Sequence, residues 1–469
     1  MSGGRMAGPQ RFSPWMIIPS VLLYGISAVS GSFGQTVLPC LCLIALAIFL
    51  YGYFYVESQN LIAMPALFGL FWFGGEGIAC LKLSELSAVW NWKTWLALFL
   101  VYAGFVLGYE VRLARGNRHR SYAARRTGGR GSLQEAQQKR VFFCIVAMTV
   151  LSLGAFLFEA AYLGYVPALI KDTPHAYSYF HVTGAHYFTV SSVMVHPLSV
   201  IYLFYAKKRD PRIKWIALCN VIAILIPFLC VSRYFMIMAV ALSLLVFLAL
   251  KKQVTARTLA ILGIACVIFL IPVYLILTVF RSHSVSYLNE IFAMKNPNTP
   301  IFVTQPYMYI ANNYENFNCL TGQIAGDWMF GRRQLFPLFA LTGLKFVLPD
   351  WMISTIPTYI TKEELTTVTI LYDAYYDFGL IGAAGFGVIL GWACGFLTDK
   401  SMRERHNPLV YLFYGQIAMY LVLSFFTTWF SNPTTWFWLI LTGVMYVFVE
   451  HGGIHESSNF SRRLRHKNK

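Results

Sequence analysis

WIALCNVIAILIPFLCVSRYFMIMAVALSLLVFLAL, residues 215–250, is the stretch on which the fold turns. Its one charged residue is Arg233, in Ser232-Arg233-Tyr234-Phe235. A helix crosses a bilayer with about twenty apolar residues, and this stretch is longer than one crossing needs. Read as a single helix, it would hold a guanidinium deep in hydrocarbon, at a cost of several kcal/mol. Read as two helices parted at Ser232-Arg233, it returns the chain to the side it came from and leaves the arginine at the surface. The second reading fixes the count of spans.

Working outward, apolar runs of span length recur at 15–32, 37–56, 61–81, 95–114, 141–162, 184–205, 215–231, 234–250, 258–279, 374–397, 409–428 and 435–449. Hydrophobic residues make up 57% of the chain and charged residues 12%, against about 25% charged in soluble domains. The expectation is an all-α polytopic membrane protein of about twelve spans. Its regions are a membrane domain over 1–280, a large outer loop over 281–372, three more spans over 373–450 and a basic tail over 451–469.

Charge supplies the orientation. Basic clusters stand at Arg5 and Arg11, between Arg112 and Arg140, around Lys207-Lys208-Arg209, at Lys251-Lys252, around Lys400 to Arg405, and from Arg462 to Lys469. With twelve spans all of them fall on one side, which the positive-inside rule makes cytoplasmic, both termini included. The segment from Arg281 to Tyr372 carries six basic and six acidic residues and falls on the other side. The net charge of +17 is thereby assigned to short connectors facing anionic headgroups, and no nucleic-acid partner is expected. The first apolar run is of full span length and lacks a small-residue cleavage site, so it is read as a span. Nine scattered cysteines form no paired motif, and no His/Asp/Glu cluster has metal-ligand spacing. With neither a phosphate loop nor a dinucleotide fingerprint, no metal or cofactor is expected.

Function is sought in the outer loop and at the span ends that feed it. Arg233 and Arg281 both lie on the outer side, against the local charge trend, with His283 close behind. Guanidinium groups bind phosphate oxygens bidentately and stay charged when partly desolvated; the plainer reading is snorkelling to lipid phosphate. Arg332-Arg333 are chain neighbours that cannot both point the same way in regular structure, and a solvated pair is the plainer reading there. Residues 307–317, YMYIANNYENF, interleave aromatics with amides. Aromatic faces stack on sugar rings while Asn and Glu bond hydroxyls; an amphipathic surface helix would show the same pattern. Tyr307, Asn313, Tyr314, Asn316 and, further on, Trp328 are the candidate glycan contacts. Glu76, inside Gly74-Gly75-Glu76-Gly77, and Glu159 need partners at their depth, and His196 reads as a packing histidine. Asp373 and Asp377 open the tenth span at a helix N-terminus, where negative charge is favoured. That span continues into a Gly387, Gly391, Gly395 ridge suited to close helix packing.

Together, the outer Ser232-Arg233-Tyr234-Phe235, the loop's Asn313-Tyr314-Glu315-Asn316, and Tyr376-Asp377-Phe378-Gly379 opening a glycine-rich span resemble the oligosaccharide repeat-unit polymerases, the Wzy-type O-antigen and capsule polymerases of bacteria. The motifs are short, while the resemblance in architecture covers most of the chain. It implies a GT-C-like membrane glycosyltransferase in the bacterial cytoplasmic membrane. Its substrate would be an undecaprenyl-pyrophosphate-linked repeat unit, used without nucleotide sugar or metal, with membrane lipids and a chain-length regulator as candidate partners. Arg281, Arg233 and Arg332 would then bind pyrophosphate. Glu315, Asp377 or His283 would act on the acceptor hydroxyl, with Asp373 ranked behind the first two carboxylates. O-antigen ligases share the large loop and its arginines and are not separated from polymerases by these residues. A transporter of a lipid-linked solute and a non-catalytic scaffold also remain; internal repeats would favour the first, and tolerance of Arg-to-Lys exchange the second.

Overall fold

The computed structural model describes residues 14–116, 134–170, 176–207, 209–251, 254–280, 285–348, 358–404 and 407–467. Among them the chain is helical, and the only strand-like pairing is an antiparallel bridge between Ser84 and Met294. The helices are α1 (Pro14–Ser32), α2 (Val37–Ser58), α3 (Met64–Ala79), α4 (Trp92–Gly116), α5 (Glu135–Leu163), α6 (Ala185–Val190), α7 (Val195–Tyr205), α8 (Arg212–Leu229), α9 (Arg233–Leu250) and α10 (Ala256–Phe280). Then follow α11 (Val285–Phe292), α12 (Ile301–Gln323), α13 (Phe336–Thr342), α14 (Tyr372–Arg403), α15 (Val410–Val422) and α16 (Pro433–Lys467). Eight helical stretches among the described residues are long and apolar enough to cross a membrane: α1, α2, α4, α5, α6–α7 taken together, α8, α9 and α14. Helices α3, α10, α15 and α16 overlap the other four expected spans and are not among those eight.

The stretch that opened the sequence reading does divide. α8 ends at Leu229, Val231 turns through a left-handed conformation (φ +54°), and α9 begins at Arg233. Ser232 caps the new helix, its hydroxyl accepting from the Phe235 N–H at 3.5 Å. A serine cap satisfies a backbone donor that the start of any helix leaves open.

The chain gathers into two compact units. The first takes the described residues of Met1–Thr127, Ser284–Asp399 and Tyr420–Thr435; the second takes those of Gly128–His283, Lys400–Met419 and Trp436–Lys469.

In the first unit the glycine ridge does what its spacing predicts. A Cβ at Gly387, Gly391 or Gly395 would fall 2.3, 1.9 or 2.9 Å from the carbonyl oxygens of Val101, Phe105 and Tyr109 on α4. Gly104 and Gly108 of α4 return the contact against Ala384 and Val388. Two backbones therefore touch with no side chain between them, a geometry that glycine alone permits. Glu76 is fully buried on α3, and the Tyr24 hydroxyl lies 2.8 Å from its Oε1 and 2.7 Å from the Trp95 carbonyl. The flanking Gly75 and Gly77 admit the Tyr314 hydroxyl and the Cys40 carbonyl.

In the second unit, buried polar groups tie helices to one another. Gln416 donates to Thr442 at 3.0 Å, and the Trp438 indole donates to Ser191 at 3.0 Å. His196 bonds Asn220 Oδ1 at 2.7 Å, and Asn220 donates to Ser199 at 2.8 Å. His196 is thus tied through Asn220 to Ser199, with its other ring nitrogen buried and without a hydrogen-bond partner among the described residues.

Gly391→Leu should force α4 and α14 apart and lower stability by about 1–3 kcal/mol or more. Gly385→Ala, where a Cβ meets nothing within 4 Å, should leave the apparent Tm in detergent unchanged.

Candidate functional site

Residues 301–323 form α12, a buried helix of the first unit whose polar side chains are held from two sides. On one side Glu315, 2% exposed, accepts from the Lys82 ammonium, from the Trp90 indole at 3.1 Å and from the Ala88 N–H at 3.1 Å. Burial pushes its carboxyl up from the usual range, against the opposing pull of Lys82 and the two N–H donors. The Lys82 ammonium also lies 4.0 Å from the centroid of the Trp90 ring. One turn further on, Asn318 Oδ1 accepts from the Asn91 N–H at 3.1 Å and from Thr94 at 2.8 Å. Tyr307 receives the Leu83 N–H at 2.8 Å, and Tyr314, fully buried, donates to the Trp72 carbonyl at 2.8 Å.

On the other side, amides meet backbone. Asn316 donates to the carbonyls of Leu365 (2.7 Å) and Thr367 (2.8 Å) and accepts from the Thr361 N–H at 2.8 Å. Asn312 accepts from the Thr361 hydroxyl at 2.8 Å, and Asn313 donates to the Phe425 carbonyl at 2.7 Å. Irregular backbone away from water needs such partners. The aromatic and amide pattern of YMYIANNYENF is accordingly occupied, in this structure, in holding residues 82–94, 358–371 and 425 around one helix.

The segment after α12 carries the paired arginines, and it docks on the start of α14. Two N–H donors of the 329–334 segment converge on Asp377: Arg333 at 3.2 Å and Gln334 at 3.0 Å. The Phe330 N–H bonds the Asp377 carbonyl at 3.1 Å. This turn needs left-handed backbone at Phe330 (φ +47°) and Gly331 (φ +91°). Directly beyond, α14 is broken at Gly379 (φ +61°, ψ −142°), in a region open essentially to glycine alone. A Cβ there would lie 2.9 Å from the Trp328 ring. Trp328 also meets Tyr375 edge-on.

The turn sends the two arginines different ways. Arg332 is half-buried, whereas Arg333 is 8% exposed. The Arg333 guanidinium donates through Nε to Asp373 and lies 4.7 Å from the Tyr376 ring centroid and 5.5 Å from that of Tyr372. The Tyr372 hydroxyl is fixed by both the N–H and the carbonyl of Tyr359, each at 2.9 Å. Arg333 Nη1 is buried and has no hydrogen-bond partner among the described residues. A charged donor left open in such a place is costly, and an incoming acceptor oxygen would relieve it.

Of the sequence candidates, Arg332, Trp328 and Asp377 gather here with Arg333 and Asp373. Glu315, Tyr307, Asn313, Tyr314 and Asn316 belong to the α12 network of the same unit. Arg233 begins α9 in the second unit. Arg281 and His283 lie outside the described residues. Lys82 was not among the sequence candidates, although on the charge reading a lysine just after the third apolar run goes against the local trend. Compared with known proteins, the chain matches no family model, no curated protein and no solved structure.

Glu315→Ala would leave the Lys82 ammonium without its partner and should lower stability by about 3 kcal/mol. A Glu315→Leu/Lys82→Met pair should recover part of that loss in a double-mutant cycle read by unfolding in detergent.

Proposed function

We propose that this protein polymerises lipid-linked oligosaccharide repeat units at the outer face of a bacterial cytoplasmic membrane. In this reading it is a GT-C-like enzyme of twelve crossings with both termini inside. The observation that carries the reading is Arg333. It is a buried guanidinium with an open donor, set between two tyrosine rings and a carboxylate, on the long segment that interrupts the apolar series. A guanidinium donor is suited to the oxygens of a lipid pyrophosphate or of the sugar attached to it. Aromatic rings beside a carboxylate suit a glycan, whose ring faces are apolar and whose edges are hydroxylated.

In the reaction proposed, an acceptor hydroxyl attacks the anomeric carbon of the growing chain. The bond to the lipid pyrophosphate breaks and leaves its electron pair on the departing oxygen. A preorganised cation at that oxygen stabilises the charge as it develops. Arg333 is assigned this contact on its geometry. Asp377, bonded to two backbone N–H groups, positions Arg333. Trp328, against the glycine break, contributes an aromatic surface.

The test uses purified protein in nanodiscs with undecaprenyl-pyrophosphate-linked repeat units, products being resolved by length. Wild type should give a ladder of longer lipid-linked chains. Arg333→Ala and Arg333→Lys should each lower the rate by about a hundredfold or more, with the unfolding midpoint measured alongside. An undiminished ladder in both variants would remove Arg333 from the site. Glycan transferred instead to a different acceptor would make the enzyme a ligase.

A further inference from the structure

Directly after the paired arginines the first unit carries LFPLFALTGLKFVL, residues 335–348. Lys345 is its one charged residue and Thr342 its one other polar side chain. A helix crosses a bilayer with about twenty such residues, and this stretch is well short of that. An apolar run of its length is either a core helix or an element lying in the membrane interface. Exposure decides between the two. Leu335 and Leu338 are 51% and 54% exposed, and Phe346 and Val347 are each 72% exposed. A core helix would have buried them; so many large apolar side chains left outside on one short stretch mark an interaction surface.

The backbone of the stretch is largely self-contained. α13 ends at Gly343, whose left-handed conformation (φ +76°) leads into a short 3₁₀ turn at Leu344–Phe346. There the Phe346 N–H bonds the Gly343 carbonyl at 3.0 Å and the Leu348 N–H bonds the Leu344 carbonyl at 2.9 Å. Donors met internally are what a water-poor place requires. The Lys345 ammonium lies 5.0 Å from the centroid of the Phe346 ring, and a lysine stem can follow apolar surface while its charge reaches the headgroups. The patch also runs on into α14. A Cβ at Gly331 would lie 3.5 Å from the Phe378 ring and 3.8 Å from the Leu335 side chain, so both flank one glycine. Phe330, itself exposed, meets Phe378 edge-on at 6.4 Å. Phe378 and Ile381 are exposed on α14, which is long and apolar enough to cross a membrane.

We propose that residues 335–348 lie in the bilayer interface beside α14, with phospholipid acyl chains covering Leu335, Leu338, Phe346 and Val347. Lipid is the occupant because the patch continues the exposed apolar face of a membrane-crossing helix and carries a lysine able to snorkel. The segment that interrupts the apolar series is then an aqueous loop only in part. Arg333, two residues before Leu335, is held at the depth of the headgroups, and a lipid-borne ligand reaches it sideways from the membrane. The placement stands whatever reaction the protein performs.

The first measurement needs no substitution. Wild type in nanodiscs containing a phospholipid with a diazirine on its acyl chain is irradiated, and adducts are mapped by peptide mass spectrometry. Adducts on 335–348 as well as on the exposed face of α14 are expected; their absence from 335–348 would overturn the proposal. Leu338→Cys and Phe346→Cys are then compared with Asn298→Cys, an exposed polar position of the same unit, with wild type as the blank for the native cysteines. A thiol reacts as its thiolate, which forms in water and not among acyl chains. A charged maleimide should therefore label Asn298→Cys and leave the other two unlabelled. Equal labelling of all three would place the stretch in water and overturn the proposal. Protection from the maleimide without lipid adducts would mean that a partner protein or a second copy covers the patch, and would overturn it equally. Unfolding midpoints accompany each variant, and if a cysteine variant fails to fold the wild-type adduct map decides.

Discussion

A carboxylate out of reach of water must be met by donors, and the arrangement of the first unit follows from how Glu315 is met. Lys82, Ala88 and Trp90 converge on it from the connector between α3 and α4, which orients α12. An adjoining face of that helix then presents Asn312 and Asn316 to residues 361–367. The same segment brings Tyr359 to the Tyr372 hydroxyl, and Tyr372 is one of the rings over Arg333. A chain of polar contacts thus runs from one buried acid to the cationic site. Each link exists because a group removed from water requires a partner.

Much of this fold is legible in the residues. The break at Ser232-Arg233 follows from hydrocarbon's intolerance of a guanidinium, and the α4–α14 contact follows from glycines four apart. The role of α12 is less legible. Interleaved aromatics and amides suit a sugar, but they equally suit a helix that must bond irregular backbone in a water-poor interior. No spacing rule tells whether the partner of an asparagine is a hydroxyl of a ligand or a carbonyl of residue 365. The choice between Arg332 and Arg333 was hidden for another reason. It depends on left-handed backbone at Phe330 and Gly331 and on two N–H bonds to Asp377, all set by tertiary contacts. Lys82 and Glu315 are likewise ordinary residues until the fold brings them together.

The two units use buried polarity differently. In the second, side chains on facing helices bond one another, as Gln416 with Thr442 and His196 with Asn220, which is how helices in a medium without hydrophobic driving force acquire specific neighbours. In the first, side chains mainly bond the backbone of irregular segments, which makes those segments as well anchored as helices. Loops held in this way can carry a site with fixed geometry.

The distance in sequence between Lys82 and Glu315 also sets an order of events during synthesis. Translation proceeds at about 5–20 residues per second, so on the order of ten seconds or more separate the emergence of one partner from that of the other. For most of that interval α3 and α4 have been made while the donors of their connector await an acceptor still to come. Closure of the network around α12 is therefore a late step of maturation, after the early helices have been made. A chaperone or protease reaching that connector would meet an unfinished surface until α12 arrives.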